Sequence, residues 1–325
     1  MDCNGKYCFY FGTGGGANFK SNFILKAMKI GLVGLGKMGF NLALNLKRSG
    51  HEVIGYDLNK ETMQLLNSEG VTTSNSLSAL IGDLGEYRVV WLMIPAGEHI
   101  DGVLSDLKTM LRKGDIIIEG GNSNYKDSIR RSAEWASLEI DYLDCGTSGG
   151  TEGALNGICA MLGGSKSAFD RIEPVIKDIS LPGAYLYCGG PGSGHYVKMI
   201  HNGIEYGMMQ AIAEGFEMLQ KSQMDLDLAA VAGLWNQGSV VRSWLMELTE
   251  RALKKEPDLA SIKGIMHSSG EGKWTLEDAL EKQIATPVIA LSLIMRYRSL
   301  EDDSFAGKIV AALRNEFGGH ALVKK

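Results

Sequence analysis

Apolar runs and amphipathic segments alternate along the first 190 residues of the chain. The apolar runs have strand length and end in small or polar residues; two lie within 29–57, and the others cover 88–97, 115–125, 140–150, 157–164 and 184–190. Apolar runs that alternate with helices are typical of a parallel sheet covered on both faces. The pattern predicts an α/β domain with a doubly wound, mostly parallel sheet over residues 28–193.

The pattern changes in the second half of the chain. Strand-like runs stop after Ser222, and helical periods follow near 225–236, 239–255, 275–283, 286–298 and 303–315. The second domain, residues 194–325, is therefore predicted to be all helical. Substrates usually bind in the cleft between two such domains.

A long helix predicted over residues 194–222 joins the two halves and carries an unusual face. Polar residues occupy that face in its first turns, at helical spacing: Lys198, His201, Asn202, Glu205 and Tyr206. The same face continues as a predicted apolar core stripe of Met209, Ile212, Ala213, Phe216 and Leu219. Each polar group left unpaired in a dry core would cost about 1–3 kcal/mol, so the face predicts a solvated or ligand-filled cavity. The alternative is a hydrated surface stripe that aligns with the core stripe by chance.

A glycine motif follows the first predicted strand. Gly34, Gly36 and Gly39 form GxGxxG between that strand and a helix, and Asp57 ends the next strand. This context predicts a Rossmann-type dinucleotide site, with the diphosphate at the helix N-terminus. Asp57 should accept hydrogen bonds from the adenosine ribose and favour NAD over NADP, although Lys60 lies close enough to weaken that preference.

The carboxyl ends of the later strands complete the predicted crevice. Asn122 and the Thr147-Ser148-Gly149-Gly150 turn would lie beside the nicotinamide end of the cofactor. The alternative is ordinary turn chemistry, which Asn, Ser and Gly supply in many proteins. The full set of predicted cofactor contacts is Gly34, Leu35, Gly36, Lys37, Met38, Gly39, Asp57, Met93, Ile94, Pro95 and Asn122.

Composition narrows the class of protein. The net charge of −5 offers no basic field for nucleic acid, and no apolar run reaches the roughly 18 residues of a membrane helix. Five scattered cysteines without metal-ligand spacing predict reduced thiols in a cytoplasmic protein and no metal site: Cys3, Cys8, Cys145, Cys159 and Cys188. Residues 1–27 show no regular period and are interpreted as a disordered or non-native leader.

Six motifs carry a resemblance to a known family. They are IGLVGLGKMG (30–39), EGGNSNYKDSIRR (119–131), GTSGGTEGA (146–154), KMIHNGIEYG (198–207), SGEGKWT (269–275) and RNEFGGH (314–320). The chain resembles 6-phosphogluconate dehydrogenase (decarboxylating) in its short, NAD-linked bacterial form. The resemblance implies oxidative decarboxylation of 6-phosphogluconate to ribulose 5-phosphate and CO2, a step of gluconate utilization and the pentose phosphate pathway.

The resemblance also assigns roles to residues. It implies Lys198 as general base and acid, Glu205 as a second acid, and a homodimer, which could pair into a tetramer, whose tails reach the partner's active site. The implied substrate contacts are Asn122, Ser148, Gly149, Gly150, His201, Asn202, Tyr206, Arg296, Arg314 and His320. Ser269 and Glu271 depart from the lysine and threonine of the long NADP-linked form, and Glu271 would repel a phosphate.

Two rival functions remain open at this stage. A related β-hydroxyacid dehydrogenase would share the glycine motif, the SGG turn and a catalytic lysine, but a small unphosphorylated acid needs no second acid such as Glu205. An inactive NAD-binding regulator would need no Lys198/Glu205 pair at all.

Overall fold

The computed structural model describes residues 27–324 of the 325-residue chain. The leader predicted for residues 1–27 lies, apart from Ala27, outside the described residues, and so do Cys3 and Cys8. No helix in the described range is both long enough and apolar enough to cross a membrane.

The described residues contain one eight-stranded sheet. Its strands are β1 (Lys29–Val33), β2 (Glu52–Tyr56), β3 (Thr72–Thr73), β4 (Val89–Leu92), β5 (Ile116–Glu119), β6 (Asp141–Ser148), β7 (Ile158–Gly163) and β8 (Ser180–Gly189). Their order is β3-β2-β1-β4-β5-β6-β7-β8, and only the β6–β7 pairing among them is antiparallel. The predicted doubly wound, mostly parallel sheet is confirmed, and its strand order reverses between β1 and β4.

Helices connect the strands and then form the rest of the described chain. Seven alternate with the strands: α1 (Lys37–Arg48), α2 (Lys60–Ser68), α3 (Leu77–Asp83), α4 (Glu98–Leu107), α5 (Tyr125–Ala136), α6 (Gly150–Asn156) and α7 (Lys166–Ile179). Six follow the sheet: α8 (Ser193–Gln220), α9 (Leu228–Asn236), α10 (Trp244–Lys255), α11 (Gly270–Glu281), α12 (Pro287–Arg298) and α13 (Phe305–Gly318). The predicted all-helical C-terminal region is confirmed.

Side chains of the strands bury against helices on both faces of the sheet. In β1, Ile30 and Leu32 join the cluster beneath α1, α2 and α7, whereas Val33 joins the cluster beneath α3, α4 and α5. Alternation of side chains along a strand produces this division, and burial on both faces explains why the central strands β1, β4 and β5 are almost entirely apolar.

The long helix α8 lies between the sheet and the later helices. It packs against β6 and β7 on one side and against α11 and α12 on the other. Two of its glycines allow the close approach: a Cβ at Gly194 would lie 2.4 Å from the Met161 carbonyl oxygen, and one at Gly203 would lie 2.7 Å from Thr275. These contacts bring the polar face of α8 to the end of β6.

The prediction of a core stripe farther along α8 is confirmed only in part: Phe216 belongs to a small buried cluster, and Ile212 and Leu219 pack against that cluster. Of the five stripe residues only Phe216 is buried, and Ala213 is exposed. An open groove of about 770 Å3 between α8 and α10 is lined by four of the stripe residues, Met209, Ile212, Ala213 and Phe216. An apolar helical period shows that a face avoids water, but it does not show whether the same chain covers that face.

Candidate active site

The loop after β1 has a different environment at each glycine of the GxGxxG motif. Gly34 has φ +92°, and a Cβ there would lie 2.5 Å from the Met93 carbonyl oxygen. A Cβ at Gly39 would lie 2.0 Å from the Gly34 oxygen, whereas one at Gly36 would meet nothing within 4 Å. The loop is therefore closely packed at Gly34 and Gly39, whereas the space next to Gly36, where α1 begins, is unfilled by protein atoms.

Asp57, at the end of β2, is bound to the same loop. Its Oδ2 accepts a hydrogen bond from the Leu35 N–H at 2.6 Å, and its Oδ1 accepts one from the Asn59 N–H at 2.8 Å. Each carboxylate oxygen has a second lone pair, so these two contacts leave Asp57 able to accept further hydrogen bonds. Its support of the glycine loop was not predicted from the sequence.

The first turns of α8 hold a hydrogen-bonded group of side chains around Lys198. The Lys198 ammonium donates to Asn202 Oδ1 at 2.7 Å and lies 3.5 Å from His201 Nδ1. Lys198 is only 5% exposed, because its stem lies against Gly146 of β6, where a Cβ would be 2.3 Å from Lys198 Cβ. Strand β6 therefore needs a glycine at this point to seat the lysine.

Burial changes the acidity of this lysine. Desolvation lowers the pKa of Lys198 from its ordinary value, while the charges of Glu205 and Glu271 and the Cys159 thiol act in the opposite direction. A lysine with a lowered pKa is neutral in a larger fraction of molecules near pH 7, and a neutral amine can accept a proton.

His201 connects the helix to the strand end. Its Nε2 lies 3.2 Å from Ser148 Oγ, and its Nδ1 lies 3.0 Å from Asn202 Oδ1 and 3.8 Å from Glu205 Oε2. The Lys198 Nζ also lies 3.5 Å from Nδ1, so Nδ1 can donate to these oxygens or accept from the lysine, and Nε2 can accept from or donate to the Ser148 hydroxyl. The imidazole thus links Ser148 to Asn202 and lies next to the Glu205 carboxylate.

The carboxyl ends of β5 and β6 meet beside this group. Asn122 adopts a left-handed backbone with φ +54°, and its Oδ1 accepts a hydrogen bond from the Thr147 N–H at 3.2 Å. Gly149 and Gly150 also have positive φ, at +110° and +57°, so the turn exposes backbone where a larger residue would be strained. The turn residues are part of the site and not remote from it.

One cleft contains most of the predicted substrate residues. Its volume is about 910 Å3, and it lies between the strand ends, the polar face of α8 and the start of α10. Its lining includes Met38, in the first turn of α1 and inside the glycine motif, together with Asn122, Ser148, Gly149, Gly150, Lys198, His201, Asn202 and Glu205. The polar face of α8 therefore borders a cavity that also reaches the glycine loop.

Tyr206 and Arg296 lie in the neighbouring apolar groove. The Tyr206 hydroxyl accepts a hydrogen bond from the Ser269 N–H at 2.9 Å and lies 3.0 Å from Ser269 Oγ. The Arg296 guanidinium stacks 3.5 Å from the centre of the Tyr206 ring and donates to the His267 carbonyl oxygen. Within one chain these two residues form a pair separate from Lys198.

Arg314 and His320 do not reach the cleft of their own chain. Both side chains are exposed, and α13 has no buried residue. Apolar residues are exposed along the same helix, including Phe305 at 75% and Phe317 at 78%. The single chain therefore leaves this tail without a packed environment.

Sequence reasoning missed the contact made by Glu271. The residue was interpreted as one that repels a phosphate, but it is 9% exposed and its Oε1 accepts a hydrogen bond from Asn202 Nδ2 at 3.1 Å. It lies 69 positions from Asn202 in the sequence, and no local pattern indicates that α11 brings the two together.

A glycine loop at the switch point of a doubly wound sheet, next to a buried lysine in a cleft, places the chain in the class of dinucleotide-dependent dehydrogenases. Two family models match it. Residues 29–189 match the NAD binding domain of 6-phosphogluconate dehydrogenase, and residues 194–321 match the C-terminal domain of 6-phosphogluconate dehydrogenase. The chain belongs to the 6-phosphogluconate dehydrogenase family, which confirms the resemblance seen in its motifs.

Individual relatives agree with this assignment. Protein YqeC of Bacillus subtilis is 57% identical over 92% of this chain and 100% of its own length. The NAD(+)-dependent, decarboxylating 6-phosphogluconate dehydrogenase of Haloferax volcanii is 41% identical over 92% of this chain and 99% of its own length. The solved 6-phosphogluconate dehydrogenase of Plasmodium falciparum has a TM-score of 0.78 and 34% identity, covering 91% of this chain and 66% of that longer chain.

Proposed function

We propose that the chain oxidatively decarboxylates 6-phosphogluconate to ribulose 5-phosphate and CO2, with NAD as the hydride acceptor. The observation that carries the proposal is the grouping of Lys198, His201, Asn202 and Glu205 in one cleft with the Ser148 strand end. The NAD(+)-dependent relative at 41% identity over nearly its full length supports the same reaction and the same cofactor.

The residues of the crevice fit NAD. The first turn of α1 has no acidic residue and no side-chain cap, so its N–H groups are free for a diphosphate. Space above Gly36 allows close approach of that group, and Asp57 retains lone pairs for ribose hydroxyls. NAD, when bound here, supplies the acceptor for the hydride that leaves C3 of the substrate.

Lys198 and Glu205 divide the proton transfers. Neutral Lys198 takes the proton of the C3 hydroxyl as C3 is oxidised, and the resulting ammonium then donates a hydrogen bond to the new C3 carbonyl. That polarisation favours loss of the C1 carboxyl group as CO2, because the carbonyl oxygen can accept the electron pair. Glu205, two turns along the same face, donates a proton to the former C2 of the substrate, which is C1 of the five-carbon enediol left after CO2 departs.

The remaining cleft residues bind and orient. Ser148 and the Gly149-Gly150 turn present a hydroxyl and backbone groups to the substrate, and Asn122 holds that turn in place through the Thr147 N–H. His201 fixes Ser148 from one nitrogen and faces Glu205 from the other.

The second domain also serves dimerisation in this proposal. The exposed apolar side of α12 and α13, together with the open groove along α8, provides surface for a second copy of the chain. In such a dimer the tail brings Arg314 and His320 to the partner's cleft, where a bidentate arginine suits a phosphate. Tyr206 and Arg296 then complete the anion site from the neighbouring groove.

A substrate comparison tests the proposed reaction. Purified protein is given NAD with either 6-phosphogluconate or 3-hydroxyisobutyrate, and NADH formation is followed by absorbance. The proposal expects turnover with 6-phosphogluconate at a kcat/KM at least about 100-fold above that with 3-hydroxyisobutyrate, since the smaller acid lacks the phosphate contacts. Equal turnover of the two acids, or turnover of 3-hydroxyisobutyrate alone, would favour the small-hydroxyacid enzyme.

A further inference from the structure

One carboxylate inside the site has no part in the proton transfers described above. Glu271, in the first turn of α11, accepts a hydrogen bond from Asn202 Nδ2 at 3.1 Å. The same amide offers its Oδ1 to the Lys198 ammonium at 2.7 Å. A line of hydrogen bonds therefore connects α11 to the proposed base.

The Glu271 carboxylate determines the orientation of the Asn202 side-chain amide. An ionised carboxylate only accepts hydrogen bonds, so the NH2 end of Asn202 must face Glu271 and the carbonyl oxygen must face Lys198. In the reversed amide, two acceptors would meet at Glu271 and an N–H would point at the lysine. An acceptor next to Lys198 stabilises its protonated form, whereas a donor would oppose it.

We propose that Glu271 is a positioning residue for proton transfer: it holds the Asn202 amide so that an oxygen receives Lys198 after the lysine has taken the substrate's proton. The inference rests on the proposed function of Lys198 as the base. It assigns a purpose to a carboxylate that would otherwise only repel the phosphate of the substrate.

The position of Glu271 is secured by contacts that do not involve its carboxylate. One turn farther along α11, Thr275 Oγ1 donates to the Met199 carbonyl oxygen at 2.8 Å. Asp278, about one turn beyond, accepts from the Tyr196 hydroxyl at 2.9 Å. Since both contacts join α11 to α8, a conservative change at Glu271 should leave the two helices docked.

The charge of Glu271 acts together with its hydrogen bond. The groups that face Lys198 are His201 and Glu205 on its own helix, Glu271 on α11 and Cys159 on β7, while β6 presents the backbone of Gly146. Burial lowers the pKa of Lys198, and Glu271 is one of the groups that limits the fall. Removing its negative charge should therefore lower that pKa further.

Two substitutions at Glu271 separate its effect on the orientation of the Asn202 amide from the effect of its negative charge. Glu271→Gln keeps an oxygen that can accept from Asn202 Nδ2 but removes the charge, whereas Glu271→Ala removes both. Glu277→Gln is the matched control, because Glu277 lies on the same helix and its exposed side chain pairs with Lys273 at 3.4 Å. All three variants change the net charge by the same amount.

The test measures the pKa of Lys198 in the free enzyme. Each variant is labelled with a small acylating reagent across a pH series, and mass spectrometry of the Lys198 peptide gives the labelled fraction. We expect the pKa to fall by on the order of one unit in Glu271→Gln and Glu271→Ala and to stay unchanged in Glu277→Gln. An unchanged Lys198 pKa in Glu271→Ala, which loses both the charge and the orienting hydrogen bond, would overturn the proposal.

Turnover gives the second readout. The acid limb of the kcat/KM profile should move to lower pH with the Lys198 pKa, since the base must be neutral in the free enzyme. The plateau should fall by about 10-fold in Glu271→Ala, which loses the orienting hydrogen bond, and by less in Glu271→Gln, which keeps an acceptor for Asn202. A wild-type plateau in Glu271→Ala would contradict the positioning role. The labelling requires no substrate, so failure of the proposed reaction would appear separately, as absent turnover in the wild-type enzyme.

Discussion

Gly146 gives the sharpest mutational prediction, because it seats the base against the sheet. A Cβ added at this position would lie 2.3 Å from Lys198 Cβ and 3.0 Å from the Gly194 carbonyl oxygen. Carbon atoms in contact are about 3.5–4.0 Å apart, so Gly146→Ala must displace the start of α8 by roughly 1 Å or more. A misplacement of about 1 Å costs on the order of 100-fold in rate, and overpacking costs about 1–3 kcal/mol of stability.

The assay compares catalysis with stability. We expect Gly146→Ala to lower kcat/KM for 6-phosphogluconate by about 100-fold, measured well below its melting temperature, and to lower Tm by about 2–4 °C for each kcal/mol lost. Gly102→Ala in α4 is the control, because its Cβ would meet nothing within 4 Å, and it should stabilise by about 0.5–1 kcal/mol with unchanged kcat/KM. A folded Gly146→Ala protein with kcat/KM within about threefold of wild type would refute the proposed packing of Lys198 on β6.

Three further predictions concern the cofactor, the second acid and the tail. Asp57→Ala should narrow the preference for NAD over NADP in kcat/KM. It should also lower kcat/KM with each cofactor, because the Leu35 N–H loses its hydrogen-bond acceptor. A wild-type enzyme that prefers NADP would contradict the role of Asp57. Glu205→Gln should slow ribulose 5-phosphate formation more than hydride transfer in single-turnover experiments, and full product formation would exclude Glu205 as the acid. Lys198→Ala chains and Arg314→Ala/His320→Ala chains, each inactive alone, are unfolded and refolded as a mixture. Activity should return, because each mixed dimer holds one active site without a substitution. A mixture that stays inactive would show that the tail serves the active site of its own chain.

Local sequence patterns were sufficient for most of the framework. The periodicity of apolar residues predicted most of the strands and the long helix α8. The predicted range of that helix, 194–222, is close to the observed Ser193–Gln220. The antiparallel pairing of β7 was not predicted, because an apolar strand carries no mark of its direction. The start of α11 at Gly270 was predicted five residues too late, since SGEG looks like a turn. Gly272 is needed within that helix because a Cβ there would lie 2.5 Å from the Tyr206 ring.

The candidate site was predictable where one element carried it. Lys198, His201, Asn202 and Glu205 share one face of a single helix, so their spacing indicated a common site, although Tyr206 on the same face lies in the neighbouring groove. Contacts between distant elements had no such signal, and the pairing of Glu271 with Asn202 became visible only in three dimensions.

The central claim is that Lys198 drives an oxidation coupled to decarboxylation, and isotope release tests it most directly. The protein is incubated with NAD and 6-phosphogluconate labelled with 14C at C1, and NADH and labelled CO2 are counted in the same sample. The account predicts equal amounts of NADH and labelled CO2 from the wild-type enzyme and neither product from Lys198→Ala. NADH without labelled CO2 in the wild type, or undiminished release of both products from Lys198→Ala, would contradict it.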